Sequence, residues 1–195
     1  MERVSFKVII IGKQGSGKSC IVNMYIEQKF QFSYSATIGM EFQSKDLVVD
    51  NKRVLLQIWD TAGQEKFRAI VRKFYRNSNC VVFVYALDDI EWMKSLQFWI
   101  DEVKENCEGN PLRVLIGSKN DLERKVSFEE GKHMQKVNDI DLFFETNAKN
   151  SEEITNIFGE IALNLLARLK ESKGEDEVNL KVGSRDSRSW GKRCC

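Results

Sequence analysis

Short apolar runs alternate along this chain with longer segments whose apolar residues recur at helical spacing. The runs within 6–11, 80–85, 112–116 and 142–144 are rich in Val, Ile, Leu and Phe, which is typical of buried parallel strands. The segment after the second run carries one apolar helix face made of Trp92, Leu96, Trp99, Ile100 and Val103. Alternation of this kind predicts an α/β fold with a doubly wound, mostly parallel sheet and helices on both of its faces.

Two further strands complete a predicted six-stranded sheet. Residues 41–49 and 53–59 flank an Asp50-Asn51 turn, so they are expected to form an antiparallel hairpin at one sheet edge. Farther on, Ser127 and Glu130 have the spacing of a capping box that opens a polar helix. One apolar stripe marks the last helix, with Ile154, Ile157, Phe158, Ile161, Leu165 and Leu169. Where this stripe stops, Gly, Ser and charged residues dominate, which predicts a folded domain at 1–170 and a flexible tail at 171–195.

Composition narrows the class of protein. The 195 residues carry a formal net charge of +1, which argues against a protein that coats nucleic acid. No apolar run reaches the length of a membrane span, and the N-terminus lacks a secretory signal pattern. Five scattered cysteines do not form a disulfide framework, and we expect Cys20, Cys80 and Cys107 to be small buried hydrophobes. The single histidine, His133, is expected at the surface of a polar helix.

The segment Gly12-Lys13-Gln14-Gly15-Ser16-Gly17-Lys18-Ser19, here named the phosphate loop, fits the pattern glycine, any four residues, glycine, lysine, serine. A strand precedes it and a helical apolar face follows it, which argues against an ordinary glycine-rich turn. Its glycines allow successive backbone N–H groups to converge on phosphates at the positive end of the following helix. Lys18 is expected to reach the outer phosphates and Ser19 to bind Mg²⁺. The chain is therefore predicted to bind a nucleoside phosphate.

A second motif, Asp60-Thr61-Ala62-Gly63-Gln64, directly follows the second hairpin strand. Alone it would be an ordinary turn. Because ligands of open α/β sheets collect at the carboxyl ends of strands, Asp60 is expected to hold Mg²⁺ through water beside the phosphate loop.

Three further stretches stand in fixed order with these two motifs: Thr37, Gly117-Ser118-Lys119-Asn120-Asp121 and Ala148-Lys149. In this order of motifs the chain resembles the Ras superfamily of small GTPases. Two segments resemble the Rab family in particular, namely Thr37-Ile38-Gly39-Met40-Glu41-Phe42 and Leu55-Leu56-Gln57-Ile58-Trp59. The resemblance implies a P-loop small GTPase fold and a GDP/GTP switch with Mg²⁺ as cofactor. It also implies slow, GAP-assisted GTP hydrolysis and recruitment of effectors in vesicle-mediated membrane traffic.

The same resemblance assigns roles to individual positions. Gln64 would orient the attacking water and Lys18 would neutralise charge on the transferred group. Ser19, Thr37 and Asp60 would hold Mg²⁺. Nucleotide contacts are expected from Gln14, Gly15, Ser16, Gly17, Lys18, Ser19, Cys20, Phe30, Tyr34, Thr37, Gly63, Ser118, Lys119, Asp121, Asn147, Ala148 and Lys149. Effectors would contact Ile38, Gly39, Phe42, Trp59 and Phe74, although each aromatic residue taken singly also fits plain packing.

The chain ends in Cys194 and Cys195, which resemble the terminus on which Rab proteins receive two geranylgeranyl groups. Two lipid chains anchor stably where one anchors marginally, and the basic residues before them favour an anionic leaflet. The expected location is the cytoplasmic face of an intracellular membrane, in exchange with the cytosol. Expected partners are an exchange factor, a GTPase-activating protein, effectors and an escort-type or GDI carrier of the lipids. We expect a monomer that does not bind nucleic acid.

Three positions depart from the family pattern. Ser118 replaces an asparagine whose amide ties the base to the phosphate loop, so we expect that tie to be lost and nucleotide to be held less tightly. Asn147 replaces a serine, and Gln14 puts a long side chain near the γ-phosphate. These changes leave open a second hypothesis, a non-cycling Rab-like binding module with weakened nucleotide binding. A P-loop ATPase or kinase fits less well, because Asp121 suits guanine and no lid segment is evident.

Overall fold

The structure is a computed structural model that describes residues 3–29, 37, 39–63 and 68–183, with side chains for all of these except 68–70 and 173–183. Strands and helices alternate along these residues. The strands are β1 (Arg3–Ile11), β2 (Met40–Val49), β3 (Lys52–Thr61), β4 (Cys80–Ala86), β5 (Leu112–Ser118) and β6 (Leu142–Glu145). The helices are α1 (Lys18–Glu27), α2 (Arg68–Tyr75), α3 (Trp92–Asn106), α4 (Phe128–Val137) and α5 (Ser151–Gly183).

Within this part of the chain, the six strands form one sheet in the order β2-β3-β1-β4-β5-β6. β2 pairs antiparallel with β3, and every other pair of neighbouring strands is parallel. Asp50 and Asn51 have φ angles of 49° and 56° in the hairpin turn, a left-handed conformation that these two residue types tolerate. The predicted six-stranded, mostly parallel sheet is confirmed. The strand order reverses at β1, and ligands of such sheets bind at that point.

The core has two layers, one on each face of the sheet. Along β1, Val8 and Ile10 pack on one face while Ile9 and Ile11 pack on the other, and all four are fully buried. The first layer joins these strands to α1 and α5, with residues such as Ile21, Val22, Phe158 and Ile161. The second layer joins them to α2, α3 and α4, with residues such as Val71, Trp99, Ile100 and Met134. Helices therefore cover both faces, as the pattern predicts, and the tryptophans of α3 belong to the core.

Helix α2 was not predicted from the sequence, although Val71, Phe74 and Tyr75 have the spacing of one helix face. It is short and mixes charged with apolar residues, and Val71 and Tyr75 bury its inner face. Arg72 donates two hydrogen bonds of 2.9 Å to the carboxylate of Glu102, which lies on α3 and is 3% exposed. Packing against α3 through this long-range pair, rather than local periodicity, fixes the position of α2.

Helix α5 is longer than its apolar stripe. The stripe predicts an end near residue 170, whereas the helix continues to Gly183. Residues 171–183 contain no proline, and their glutamates and lysines favour helix, whereas Gly174, Asp176 and Asn179 oppose it. Residues 184–195 lie outside the described part of the chain, so the boundary of a flexible tail stays a prediction. Among the described residues, no helix has the length and apolarity required to cross a bilayer.

The predictions for the start of α4, the single histidine and three of the cysteines were partly confirmed. Ser127 and Glu130 form the predicted capping box, and His133 is exposed. Cys80 is buried as expected, but Cys20 and Cys107 are only partly buried, so the prediction is wrong for these two. Cys20 lies in the first turn of α1, and Cys107 ends α3, where its thiol contacts the carbonyl oxygen of Tyr75 at 3.4 Å. Helix ends leave such side chains incompletely covered.

Candidate nucleotide-binding site

The phosphate loop connects β1 to α1 at the carboxyl edge of the sheet. Gly15 and Gly17 have φ angles of +77° and +92°, which side chains rarely allow. A side chain at Gly12 would place its Cβ 2.1 Å from the carbonyl oxygen of Val84. No side chain caps the start of α1, so its first N–H groups are available to a ligand. This geometry makes a cradle for an anion.

Lys18 lies inside the phosphate loop and is 5% exposed. Its ammonium group donates to the carbonyl oxygens of Gly12 and Lys13, each at 3.0 Å. Burial lowers the pKa of Lys18 to about 8, and the negative charge of Asp60 only partly opposes this shift. A buried ammonium group held by two neutral oxygens is well prepared to receive a negatively charged ligand.

Three oxygen donors meet beside Lys18. The Ser19 hydroxyl lies 2.9 Å from the hydroxyl of Thr37 and donates to the carboxylate of Asp60. Asp60 is 2% exposed, and its Oδ1 atom has no hydrogen-bond partner. Burial raises the pKa of Asp60 to about 6, although the Ser19 hydroxyl and the charge of Lys18 act in the opposite direction. The structure thus brings together the three residues predicted to bind Mg²⁺.

This set of donors suits Mg²⁺ better than a transition metal. One carboxylate and two hydroxyl groups are hard oxygen ligands, and Mg²⁺ normally keeps several waters and phosphate oxygens in its shell. In the described part of the chain, no three His, Cys, Asp or Glu side chains cluster as metal ligands. The unpartnered Oδ1 of Asp60 could accept from a water of such a shell.

Gly63 closes the site from the end of β3. Its carbonyl oxygen accepts from the N–H of Gln14 at 2.9 Å, so the segment after β3 lies directly against the phosphate loop. A Cβ atom at Gly63 would lie 2.4 Å from the Gln14 nitrogen and 2.6 Å from the Lys18 ammonium nitrogen. Only glycine fits at this contact.

Ser118, at the end of β5, is tied to the phosphate loop. Its hydroxyl donates to the carbonyl oxygen of Ser16 at 2.5 Å, and Ser118 is 1% exposed. The expectation that serine at this position loses the tie to the loop is therefore wrong. Ser118 directly follows Gly117, whose missing side chain leaves space for the Tyr85 ring, and the shorter hydroxyl still reaches the loop backbone.

The residues predicted to read the base lie on two neighbouring loops. These loops follow β5 and β6 and carry Lys119, Asp121, Asn147, Ala148 and Lys149. The Lys149 ammonium group contacts the Asp121 carboxylate at 2.6 Å, and the Asn147 amide donates to the side-chain oxygen of Asn120 at 2.7 Å.

Sequence reasoning missed two carboxylates that hold lysines of the site. Asp88 accepts from Lys119 at 3.1 Å, and Asp89 accepts from Lys13 at 2.7 Å. Both carboxylates lie between β4 and α3, at the same sheet edge as the phosphate loop. The sequence does contain a signal for them, because both directly follow the apolar run 80–85. The carboxyl end of that predicted strand lies at the same sheet edge as the phosphate loop, so polar residues there are candidates for the site.

Three aromatic side chains form a cluster on β2, β3 and α2. The ring centres of Phe42 and Trp59 are 4.8 Å apart, and those of Trp59 and Phe74 are 5.0 Å apart. Phe42 is 49% exposed. The Lys7 ammonium group lies 5.8 Å from the Trp59 ring centre. Gly39 precedes the cluster, and its carbonyl oxygen accepts from the N–H of Ala62 at 2.9 Å.

Some predicted site residues lie outside the described part of the chain. These are Phe30, Tyr34, Ile38, Gln64, Cys194 and Cys195. Cys20, in the first turn of α1, is half-buried, and burial raises the pKa of its thiol.

Comparison with known proteins gives the class of this chain. A family model described as "Ras family" matches residues 7–167. Ras-related protein Rab-13 of Rattus norvegicus is 36% identical over 165 residues, 84% of this chain and 81% of the relative. Rab-13 of Bos taurus is 34% identical over 184 residues, covering 91% and 90%, respectively. Ras-related protein RabQ of Dictyostelium discoideum is 36% identical over 173 residues, covering 88% and 84%.

The fold, the phosphate loop and these matches define a small GTPase of the Ras family, a class of enzymes that hydrolyse GTP. Because its relatives over most of the chain are Rab proteins, the chain belongs to the Rab family of small GTPases.

Proposed function

We propose that this protein binds GDP and GTP with Mg²⁺ at the carboxyl edge of its sheet and works as a switch in vesicle-mediated membrane traffic. The observation that carries the proposal is the cluster of the buried Lys18 and Asp60 with the half-buried Ser19 and Thr37. A buried ammonium group beside hard oxygen donors and free helix N–H groups matches a phosphate–magnesium pair. Packing of the apolar core does not require this arrangement of polar groups.

At the phosphate end, the backbone N–H groups of residues 15–20 would hold the β-phosphate and Lys18 would contact the outer phosphates. Ser19, Thr37 and Asp60 would hold Mg²⁺, which when bound supplies positive charge against the phosphate oxygens. Lys18 would then exchange two carbonyl acceptors for charged oxygens, which accept stronger hydrogen bonds.

Hydrolysis would depend on the segment that follows β3. Gly63 already contacts the phosphate loop through Gln14, and Gln64 is the next residue. In this proposal Gln64 orients the attacking water and the Gly63 N–H contacts the γ-phosphate. Loss of that phosphate would release Gly63 and Thr37 together, which is the switch.

Guanine recognition would depend on Asp121. Its carboxylate can accept from both N1–H and the 2-amino group of guanine, whereas adenine offers no such pair and would leave a desolvated carboxylate without partners. Lys119, Lys149 and Phe30 would pack around the base, and the Ala148 N–H would donate to its carbonyl oxygen. Tyr34 would close over the phosphates.

Partner binding and membrane attachment would use the remaining predicted residues. Phe42, Trp59 and Phe74 form one cluster next to Gly39, in which Phe42 is exposed and the other two rings are half-buried, and such a cluster suits a surface that reports the state of the switch to effectors. Lipids on Cys194 and Cys195 would anchor a tail from residue 171 to the cytoplasmic face of an intracellular membrane, with an escort-type carrier for return to the cytosol. The folded domain would comprise residues 1–170.

The non-cycling alternative has no support among the described residues. A protein that had lost nucleotide binding would not need a buried Lys18, nor a buried Asp60 with an unpartnered oxygen. We therefore keep the cycling GTPase as the conclusion.

Nucleotide selectivity tests the proposal. The wild-type protein should bind GDP and reject ADP. Asp121→Asn should weaken GDP binding by roughly ten- to a hundredfold, because one oxygen acceptor becomes a donor facing a donor. The same variant should gain binding of xanthosine diphosphate, whose base carries an acceptor at that position. Asp139→Asn makes the same chemical change at an exposed turn and should leave GDP binding unaltered. Equal binding of GDP and ADP by the wild-type protein would refute guanine recognition.

A further inference from the structure

Asn147 makes two hydrogen bonds that join the loops following β5 and β6. Its side-chain NH₂ donates to Oδ1 of Asn120 at 2.7 Å, and its own Oδ1 accepts from the backbone N–H of Lys149 at 3.0 Å. One end of the side chain thus shapes the loop after β6, while the other end holds the loop after β5.

The loop held in this way is conformationally costly. Lys119 has a φ angle of +63°, a left-handed conformation that is unfavourable for a lysine. The Lys119 carbonyl oxygen accepts from the N–H of Leu122 at 3.1 Å, which makes a tight turn around Asn120 and Asp121. A strained turn keeps its shape only when its contacts hold it, so the position of Asp121 depends on contacts made by its neighbours.

Ser118 cannot donate a side-chain hydrogen bond to the other loop in addition to its existing bond. A serine hydroxyl has a single donor, and here that donor is used on the carbonyl oxygen of Ser16. The remaining direct links between the two loops include the backbone bond from Asn120 to the Thr146 carbonyl oxygen, at 3.2 Å.

A second side-chain link joins the loops, between Lys149 and Asp121 at 2.6 Å. Both of its members are the groups that would contact guanine, so this ion pair must rearrange when the base enters. Although Asn147 is among the residues predicted to contact the nucleotide, its side-chain amide is engaged by Asn120 and by the Lys149 N–H, so the Asn120–Asn147 bond can persist with and without nucleotide.

We propose that the Asn120–Asn147 pair is a positioning brace, which holds the Asp121 carboxylate where it can meet both donors of guanine. This inference rests on the proposed role of Asp121 in guanine recognition, and it assigns a function to Asn120 and Asn147 that acts through Asp121 rather than through contact with the reacting groups.

The brace makes a specific prediction about inosine diphosphate, whose base keeps N1–H but lacks the 2-amino group. A displaced Asp121 loses the bond to the 2-amino group most easily, so loss of the brace should weaken GDP binding more than inosine diphosphate binding. We expect Asn120→Ala, which removes the one hydrogen bond of the pair, to speed GDP release by roughly threefold to tenfold, with a smaller effect on inosine diphosphate. A purely structural weakening of the loop would speed the release of both nucleotides equally.

The experiment measures dissociation rates of GDP and inosine diphosphate from the full chain with Mg²⁺. It compares the wild type, Asn120→Ala, Asn147→Ala and the double variant, and melting temperatures confirm that each is folded. If the pair acts as one unit, the double variant should release GDP about as fast as Asn147→Ala, because Asn120 has no partner left to lose in that background. Asn147→Ser retains an acceptor for the Lys149 N–H but is too short to span to Asn120, so it should behave like Asn120→Ala, which also loses only the bond of the pair.

Two results would overturn the brace while leaving the proposed function intact. One is equal acceleration of GDP and inosine diphosphate release, and the other is an effect of the double variant that is the product of the two single effects. A wild-type protein that binds neither nucleotide would overturn the proposed function and the brace together.

Discussion

Replacing Gly63 with alanine should separate GTP hydrolysis from nucleotide binding. The added Cβ would lie 2.4 Å from the Gln14 nitrogen and 2.6 Å from the Lys13 carbonyl carbon. Ordinary contacts between such atoms are about 3.5 Å, so something must move by about 1 Å. Gln14 and Lys13 belong to the backbone of the phosphate loop, where glycine conformations and the bond from Ser118 to Ser16 hold them. The segment at Gly63 is therefore the part that should move.

Two consequences follow from this movement. The hydrogen bond from the Gln14 N–H to the Gly63 carbonyl oxygen is lost, which costs about 0.5–1.5 kcal/mol net. Gln64, the next residue, is displaced by a similar distance, and a misplacement of about 1 Å can cost roughly a hundredfold in rate. Contacts to the base lie on other loops. We therefore expect single-turnover GTP hydrolysis to fall by about a hundredfold, with GDP affinity changed by no more than about tenfold.

The assay is release of phosphate from preloaded GTP, together with equilibrium binding of GDP. Gly159→Ala is a matched control, because Gly159 lies in α5 with no atom within 4 Å of an added Cβ. That change should raise helix stability by about 0.5–1 kcal/mol and leave the hydrolysis rate unaltered. Hydrolysis at the wild-type rate by Gly63→Ala would refute the assignment of this contact to catalysis.

Three further predictions concern catalysis, metal binding and the membrane. Gln64→Leu should slow single-turnover GTP hydrolysis while GDP affinity stays nearly constant, and an unchanged rate would remove Gln64 from the mechanism. Because the pKa of Asp60 without metal is raised to about 6, protons should compete with Mg²⁺ below that pH, and titration at fixed GDP should show affinity falling by about tenfold per pH unit. Low pH should weaken metal binding but stabilise the metal-free fold. The pKa of Asp60 is higher in the folded than in the unfolded protein, so the free energy of unfolding of the metal-free protein should rise as the pH falls through about 6. A melting temperature that stays constant over this range would contradict the prediction. Replacing Cys194 and Cys195 with serine should move the protein from membranes to the cytosol without affecting GDP binding, and persistent membrane association would refute lipid anchoring.

Local patterns in the sequence were sufficient for most of the fold. Strands such as β4 and β5 are short apolar runs, and the hairpin turn and the Ser127–Glu130 box depend on residues close in sequence. The packing of α2 on α3 could not be predicted, because it depends on a pair distant in sequence, Arg72 with Glu102. Periodicity cannot reveal a charged residue that is buried because its partner arrives from another helix.

In the candidate site, too, local motifs could be predicted from the sequence, whereas contacts between distant segments could not. In the cluster of Ser19, Thr37 and Asp60, the roles of Ser19 and Asp60 could be predicted from their motifs, and that of Thr37 from the resemblance to the Rab family. The bond from Ser118 to Ser16 could not be predicted, because it depends on how closely β5 approaches the phosphate loop. The substitution alone indicated a lost contact, whereas the fold supplies a new acceptor within reach of the shorter side chain.

Identification of the nucleotide released from the denatured, purified protein tests guanine nucleotide binding most directly. The site formed by the phosphate loop, Asp60 and Asp121 predicts GDP or GTP at close to one molecule per protein chain. Adenine nucleotides in that amount, or a properly folded protein that carries no nucleotide and cannot be loaded with GDP in the presence of Mg²⁺, would contradict it.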